Sequence, residues 1–268
     1  MRRLVIAASI YTTHFARFTN RGFDAEFSVP FGDPGQTPYD VHFRLLGFPV
    51  RIHPFFWVVC VLLSGSSEPR AVLIWTVCVG LSILIHELGH ALLQRHYGGE
   101  PYIVLYSFGG LAYGNGVELT PLRQILIALA GPFAGFVFAS LLAMGIALSG
   151  HLLQVDQGFL IFDRYDSPIL NLLLFDLLYI NIWWGLLNLL PIYPLDGGQV
   201  ARELFTLRMP AHRGIVASLW LSIACAGGVA AMALMTGGSL FRVLMFGILA
   251  YNNYQTLEAY RQSRGGGW

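Results

Sequence analysis

Lysine is absent from this chain of 268 residues: all 16 basic positions are arginine, a compositional bias that carries no mechanism. Charge of either sign is scarce, at 12 % of residues against 55 % hydrophobic, and the formal net charge is only +1. With no cluster of arginines either, that balance argues against a nucleic-acid partner. Three cysteines, Cys60, Cys78 and Cys225, make an odd number, each lies in an apolar stretch, and no ligand spacing joins them. A disulfide framework and a cysteine-based zinc site are therefore unsupported. Internal repeats and low-complexity tracts are missing too. What abounds is apolar length: mean hydropathy is +0.60, the mark of an integral membrane protein rather than one or two soluble domains.

A helix that crosses a bilayer needs about 20 mostly apolar residues. Six charge-poor windows stand out, at 53–66, 71–94, 124–148, 167–190, 214–235 and 240–257, the first of them short. The expected fold is an all-α polytopic membrane protein with about six transmembrane helices. Arginines set the orientation, because short cytoplasmic loops hold an excess of them. With both termini inside, 13 arginines fall on the cytosolic side and only Arg70, Arg164 and Arg242 outside. The opening MRRLVIAASIY has the basic and apolar parts of a signal peptide, but no small-residue cleavage site precedes His14 and Arg17. An uncleaved segment is expected. Residues 1–39 then form a partly irregular N-terminal cytosolic segment, 40–257 the membrane domain and 258–268 a short cytosolic tail. Two stretches do not read as spans. Residues 40–52 alternate at Val41, Phe43 and Leu45, and 101–118 hold β-prone residues around Gly-Gly and Gly-Asn-Gly. They predict a small membrane-associated β-sheet or hairpin near the cytosolic face.

The second window holds 81-LSILIHELGHALLQ-94, an apolar run with two histidines and a glutamate. Ionisable groups in hydrocarbon are costly enough to imply a use. His86 and His90, at i and i+4, project from one face of a helix and can reach one ion, zinc being the natural choice. Glu87, one residue on, is placed to act on water at the metal rather than to bind the metal. Packing these three groups against one another with no ligand would cost several kcal/mol of desolvation for no return. A catalytic zinc takes three protein ligands, and 188-NLLPIYPLDGGQV-200 offers the third. Pro191 and Pro194 unwind the fourth span, and Asp196 can then point inward, with Gly197 and Gly198 allowing close backbone approach. The competing reading of Asp196 is an ordinary helix N-cap. Depth agrees with the metal reading: both half-sites lie on the cytosolic side, the histidines about 8–14 Å below the boundary marked by Arg95.

HELGH at 86–90, NLLPIYPLDGG at 188–198, GPFAG at 131–135 and GFPVRIHPFFW at 47–57 together resemble the site-2 protease family, the intramembrane zinc metalloproteases of peptidase family M50. The likeness covers residues from about 40 to 200, and HExxH followed about 100 residues later by LDG is the family signature. The resemblance implies one Zn2+ per chain held by His86, His90 and Asp196, with Glu87 activating water for attack on a peptide bond. It also implies that Asn188 lies near the metal, holding substrate or stabilising the oxyanion. A strand beside the metal is expected to receive the substrate as an added strand, and Tyr106, Ser107, Phe108, Gly109, Gly110 and Leu111 are its candidates. Where the family often has Asn in GPFAG this chain has Gly135, so Gly131 and Gly135 read as a packing face that lets the third span approach the metal. His53 is expected to orient the first turn of span one, and Asp176 to sit near the outer interface or bond a neighbouring helix.

The 23 residues 98–120 leave no room for a PDZ domain, and only LEAYRQSRGGGW follows the last span, so a minimal form without PDZ or CBS domains is expected. Regulation would fall to the N-terminal 50 residues, the membrane or a separate protein. The expected partners are a transmembrane-protein substrate and the lipid bilayer, in a bacterial or archaeal cell membrane. The rival readings are a membrane zinc transporter or sensor using the same ligands, and an inactive relative that binds transmembrane segments. The second is weakened by the intact ligands and glutamate.

Overall fold

A computed structural model describes residues 35–106, 109–115, 120–156 and 159–265. Residues 34–268 form one unit; most of the expected N-terminal segment, with the very end of the tail, lies outside the described residues.

The chain enters through a hairpin of β1 (Val41–Leu45) and β2 (Phe48–Ile52). Its two central residues, Leu46 and Gly47, have φ of 51° and 86°, the positive pair that a tight I′-type hairpin turn requires. Helix α1 (Pro54–Leu63) and helix α2 (Pro69–His96) then carry the chain back to β3 (Glu100–Tyr106) and β4 (Gly109–Asn115). The sheet order is β1-β2-β3-β4, with β2 and β3 parallel and the outer pairs antiparallel. The hairpin expected within 101–118 is thus β3 paired antiparallel with β4. Phe48, Val50, Ile103 and Leu105 are almost fully buried and pack with Phe56, Cys78 and Ile83 of the helices, joining sheet and bundle in one core.

Helices α3 (Pro121–Leu148) and α4 (Pro168–Asn188) follow, then the short α5 (Asp196–Arg208), α6 (Ala211–Met235) and α7 (Leu240–Gly265). Proline opens α1, α2, α3 and α4, at the position where its missing N–H costs nothing and its fixed φ helps. Thr120 and Ser167 cap α3 and α4 through their hydroxyls. His53 does the same for α1, its Nδ1 accepting from Phe55 N–H at 3.1 Å, and so orients the first turn as expected.

Four helices, α2, α3, α4 and α6, are long and apolar enough to cross a membrane. Their outward faces carry exposed Leu73, Leu141, Met144 and Leu234; so much apolar surface suits lipid and not water. The chain is an integral membrane protein. The two remaining expected windows are also helical, but α1 has only 10 residues, about 15 Å at 1.5 Å each. The second half of α7 turns polar at Asn252, Asn253, Gln255 and Glu258. Between the third and fourth windows, where no regular element is expected, lies a two-stranded sheet, β5 (Leu153–Asp156) with β6 (Phe159–Phe162).

Candidate metal centre

On α2, His86, Glu87 and His90 are all buried, with 4, 4 and 7 % of their surface exposed. One helical turn brings the two imidazoles onto a common face, with ring centroids 4.8 Å apart and Nε2 atoms 3.2 Å apart. His90 Nδ1 sits 2.7 Å from the Ile127 carbonyl oxygen on α3. A carbonyl only accepts, so Nδ1 carries the proton and Nε2 presents its lone pair to the centre of the cluster.

The third group arrives from the unwound stretch between α4 and α5. Pro191 and Pro194 cannot donate to a continuing helix, and α4 stops at Asn188. Asp196 is the first residue of α5, and Leu195 takes the cap position, so the ordinary N-cap reading does not hold. Its carboxylate faces the histidines, Oδ2 at 3.1 Å from His86 Nε2 and Oδ1 at 3.4 Å from His90 Nε2. Gly197 and Gly198 make that approach feasible, because a Cβ on either would strike the backbone of Leu189–Tyr193.

These three groups offer ligand atoms that all lie within 4.8 Å of one another. Asp196 Oδ2 is buried with no hydrogen-bond partner, and the two imidazole Nε2 atoms converge beside it. A buried carboxylate and two imidazole nitrogens facing one another suit a cation, and two imidazoles with one carboxylate are a donor set of catalytic zinc sites. The residues fit the metal that the motif implies.

α3 closes the cluster from one side. A Cβ on Gly131 would collide with the His90 ring and come within 2.8 Å of His86 Nε2. Gly89, inside the motif, meets α3 in the same way, since its Cβ would strike Ala130. The packing expected of GPFAG is therefore direct contact with the histidines at Gly131. Gly135 instead faces Asn181 of α4, whose amide oxygen would lie 3.5 Å from an added Cβ.

The other expected residues lie on α4 and on the sheet. Asn188 ends α4, 7 % exposed, its Nδ2 donating to the Trp184 carbonyl at 2.9 Å. Tyr106 ends β3, a strand paired on both sides, whereas Gly109, Gly110 and Leu111 lie on the terminal strand β4. Ser107 and Phe108 lie outside the described residues. Asp176 is buried in α4, 6 % exposed. Three contributors went unread in the sequence. The Ile127 carbonyl carries no residue signature, and Ser222 and Asn253, which bond the Tyr193 backbone, sit in helices without motifs.

A bundle of apolar, membrane-length helices enclosing two histidines and a carboxylate defines an integral membrane protein built around a buried cluster with the donors of a metal site. The model of Peptidase family M50 matches residues 74–231, more than half of the chain, and the chain belongs to that family. Among its relatives, zinc metalloprotease MJ0392 of Methanocaldococcus jannaschii is 30 % identical over 61 % of this chain and 44 % of its own length. Stage IV sporulation protein FB of Bacillus subtilis is 30 % identical over 61 % of this chain and 51 % of its own. The chain thus spans about half the length of these curated relatives. In fold it is similar to the solved site-2 protease from Methanocaldococcus jannaschii, with a TM-score of 0.55 at 21 % identity, over 82 % of this chain and 95 % of that one.

Proposed function

We propose that this chain is an intramembrane zinc metalloprotease that hydrolyses a peptide bond in or near a transmembrane segment, in a single-pass protein or a remnant signal peptide. The observation that carries this reading is the convergence of His86, His90 and Asp196 beside buried Glu87 inside an apolar bundle. Its membership of a peptidase family and the zinc metalloprotease among its relatives support it.

His86, His90 and Asp196 would hold one zinc ion per chain, whose chemistry is Lewis acidity toward a carbonyl oxygen and toward water. Glu87 takes the proton of the attacking water at its carboxylate and passes it to the leaving amine. Asn188 holds the substrate or the oxyanion through its amide. A helical substrate hides its scissile carbonyl in its own hydrogen-bond ladder, so it must be held extended. The side of β4 that no described strand pairs with, at Gly109 to Leu111 beyond Tyr106, offers a strand to pair with. Residues 40–257 form the protease domain in this reading, with six crossings once α1 and α7 are counted, both termini in the cytosol and the small sheet near the cytosolic face. Zinc transport gains no support, because an ion path needs successive ligand groups and the described residues hold one such cluster.

The test is Glu87→Gln. It should bind zinc and fold like the parent but cleave a transmembrane substrate about 10²- to 10⁴-fold more slowly. Unchanged turnover by that variant would reject the mechanism.

A further inference from the structure

The stretch between Asn188 and Asp196 is non-helical backbone in the interior of a membrane protein, and its peptide groups need partners from the protein itself. At Tyr193, three residues before Asp196, both backbone groups are met by side chains of the last two helices. Ser222 Oγ of α6 accepts from Tyr193 N–H at 3.0 Å, and Asn253 Nδ2 of α7 donates to the Tyr193 carbonyl at 2.6 Å. Both side chains are buried, at 1 and 2 % exposure. Each is braced on its own helix, Ser222 by the Ser218 carbonyl at 2.9 Å and Asn253 by the Leu249 carbonyl at 2.8 Å. The Arg202 guanidinium of α5 covers the Tyr193 ring at 3.9 Å.

We propose that Ser222 and Asn253 are positioning residues for the metal centre: by gripping the Tyr193 peptide from two helices, they fix where Asp196 presents its carboxylate to His86 and His90. The segment from Tyr193 to Asp196 is short and bounded by Gly198, whose Cα packs so closely on Ile192 and Tyr193 that no Cβ fits. A shift of Tyr193 is therefore passed on to the first turn of α5 and to its leading carboxylate. Neither residue touches the reacting atoms, and neither belongs to a motif in the sequence. α6 and α7 acquire a role beyond filling the bundle, because they set a ligand's position. Second-shell partners of metal ligands commonly hold 10- to 100-fold of the affinity.

This inference rests on the metal-site reading above, and zinc affinity separates the two. The full-length chain carrying Glu87→Gln is purified in detergent and titrated with zinc against a chromophoric chelator, with and without Ser222→Ala or Asn253→Leu. Helical content and thermal unfolding of the metal-free forms are measured alongside. The expected result is about 10- to 100-fold weaker zinc binding in each variant, with the metal-free melting profile close to that of the parent. Equal zinc affinity in parent and variants, or a loss of melting temperature with affinity unchanged, overturns the positioning role and leaves the metal site standing. A parent that binds no zinc overturns the metal-site reading itself. Should Asn253→Leu fail to fold, Ser222→Ala decides alone, since alanine suits the small-residue face that α6 presents at Gly214, Ser218 and Ala226.

Discussion

Gly131 shows how much chemistry depends on one missing methyl group. Its backbone occupies the space beside both imidazoles, and a Cβ there would overlap the His90 ring. Gly131→Ala is therefore expected to fold as a helical membrane protein yet bind zinc at least about tenfold more weakly, the scale of a disturbed second shell. Equilibrium competition with a chelator reads this directly. The ligand residues were legible in the sequence because their chemistry is rare in lipid. His86, Glu87 and His90 announce themselves by cost, and Asp196 by the prolines and glycines around it. Ile127 was not legible, because its contribution is a carbonyl that any residue could supply to His90 Nδ1. Ser222 and Asn253 were silent for a related reason: they act on the backbone of Tyr193, and no side-chain pattern marks a backbone partner.

Among elements, the β1–β2 hairpin is the one whose details go against local preference. Leu46 holds a left-handed φ of 51°, which costs an L-residue with a bulky side chain about 1–2 kcal/mol. The turn persists because Arg95, five residues beyond His90, donates to the Leu46 carbonyl at 3.0 Å and lays its guanidinium 4.1 Å from the Phe48 ring. The sheet is thereby tied to the end of the metal-bearing helix. Leu46→Asn should relieve about 1 kcal/mol of that strain, seen as slower amide exchange across β1 and β2 with zinc affinity unchanged. At the start of β1, Asp40 Oδ2 accepts from Arg51 Nη1 at 3.1 Å and Oδ1 from the Thr37 hydroxyl at 2.6 Å. Burial works to raise the Asp40 pKa, but the Thr37 hydrogen bonds and the Arg51 charge outweigh it and hold the carboxyl below its ordinary 3.8. The unfolded chain then binds the proton more readily than the folded one. The support this pair lends to β1 is complete above that ordinary value and disappears as pH falls through the depressed one. Exchange of the β1 amides should speed up in that acid range in the parent, and show no such step in Asp40→Asn. Alternation at Val41, Phe43 and Leu45 made β1 readable, and β-prone residues around glycines the β3–β4 hairpin, while the turn that divides 40–52 into β1 and β2 went unread. The β5–β6 hairpin escaped because four-residue strands near Asp163, Arg164 and Asp166 differ little from loop. α1 and α7 were expected as spans on apolar content, the first of them short, and α1 is a ten-residue helix.

Across the whole molecule, the feature that organises the fold is the meeting of two distant half-sites. α2 supplies two histidines, and the break between α4 and α5 supplies a carboxylate more than 100 residues later in the chain. α3 closes over them with Gly131 and Ile127, while α6 and α7 hold the break in place at Tyr193. α2 thus carries two of the ligand groups, while α3, α6 and α7 contact the groups that fix them. The depth argument from sequence placed the two half-sites on one level, and they lie within hydrogen-bonding range of one another. The central claim is that this cluster is a zinc site serving peptide hydrolysis. The most direct measurement is cleavage of a transmembrane reporter by the purified chain in lipid, after stripping with a chelator and again after adding one equivalent of zinc. Cleavage should vanish on stripping, return with zinc, and fail to return in His86→Ala or Asp196→Ala. Cleavage that survives stripping, or that zinc restores equally in those variants, would contradict the account.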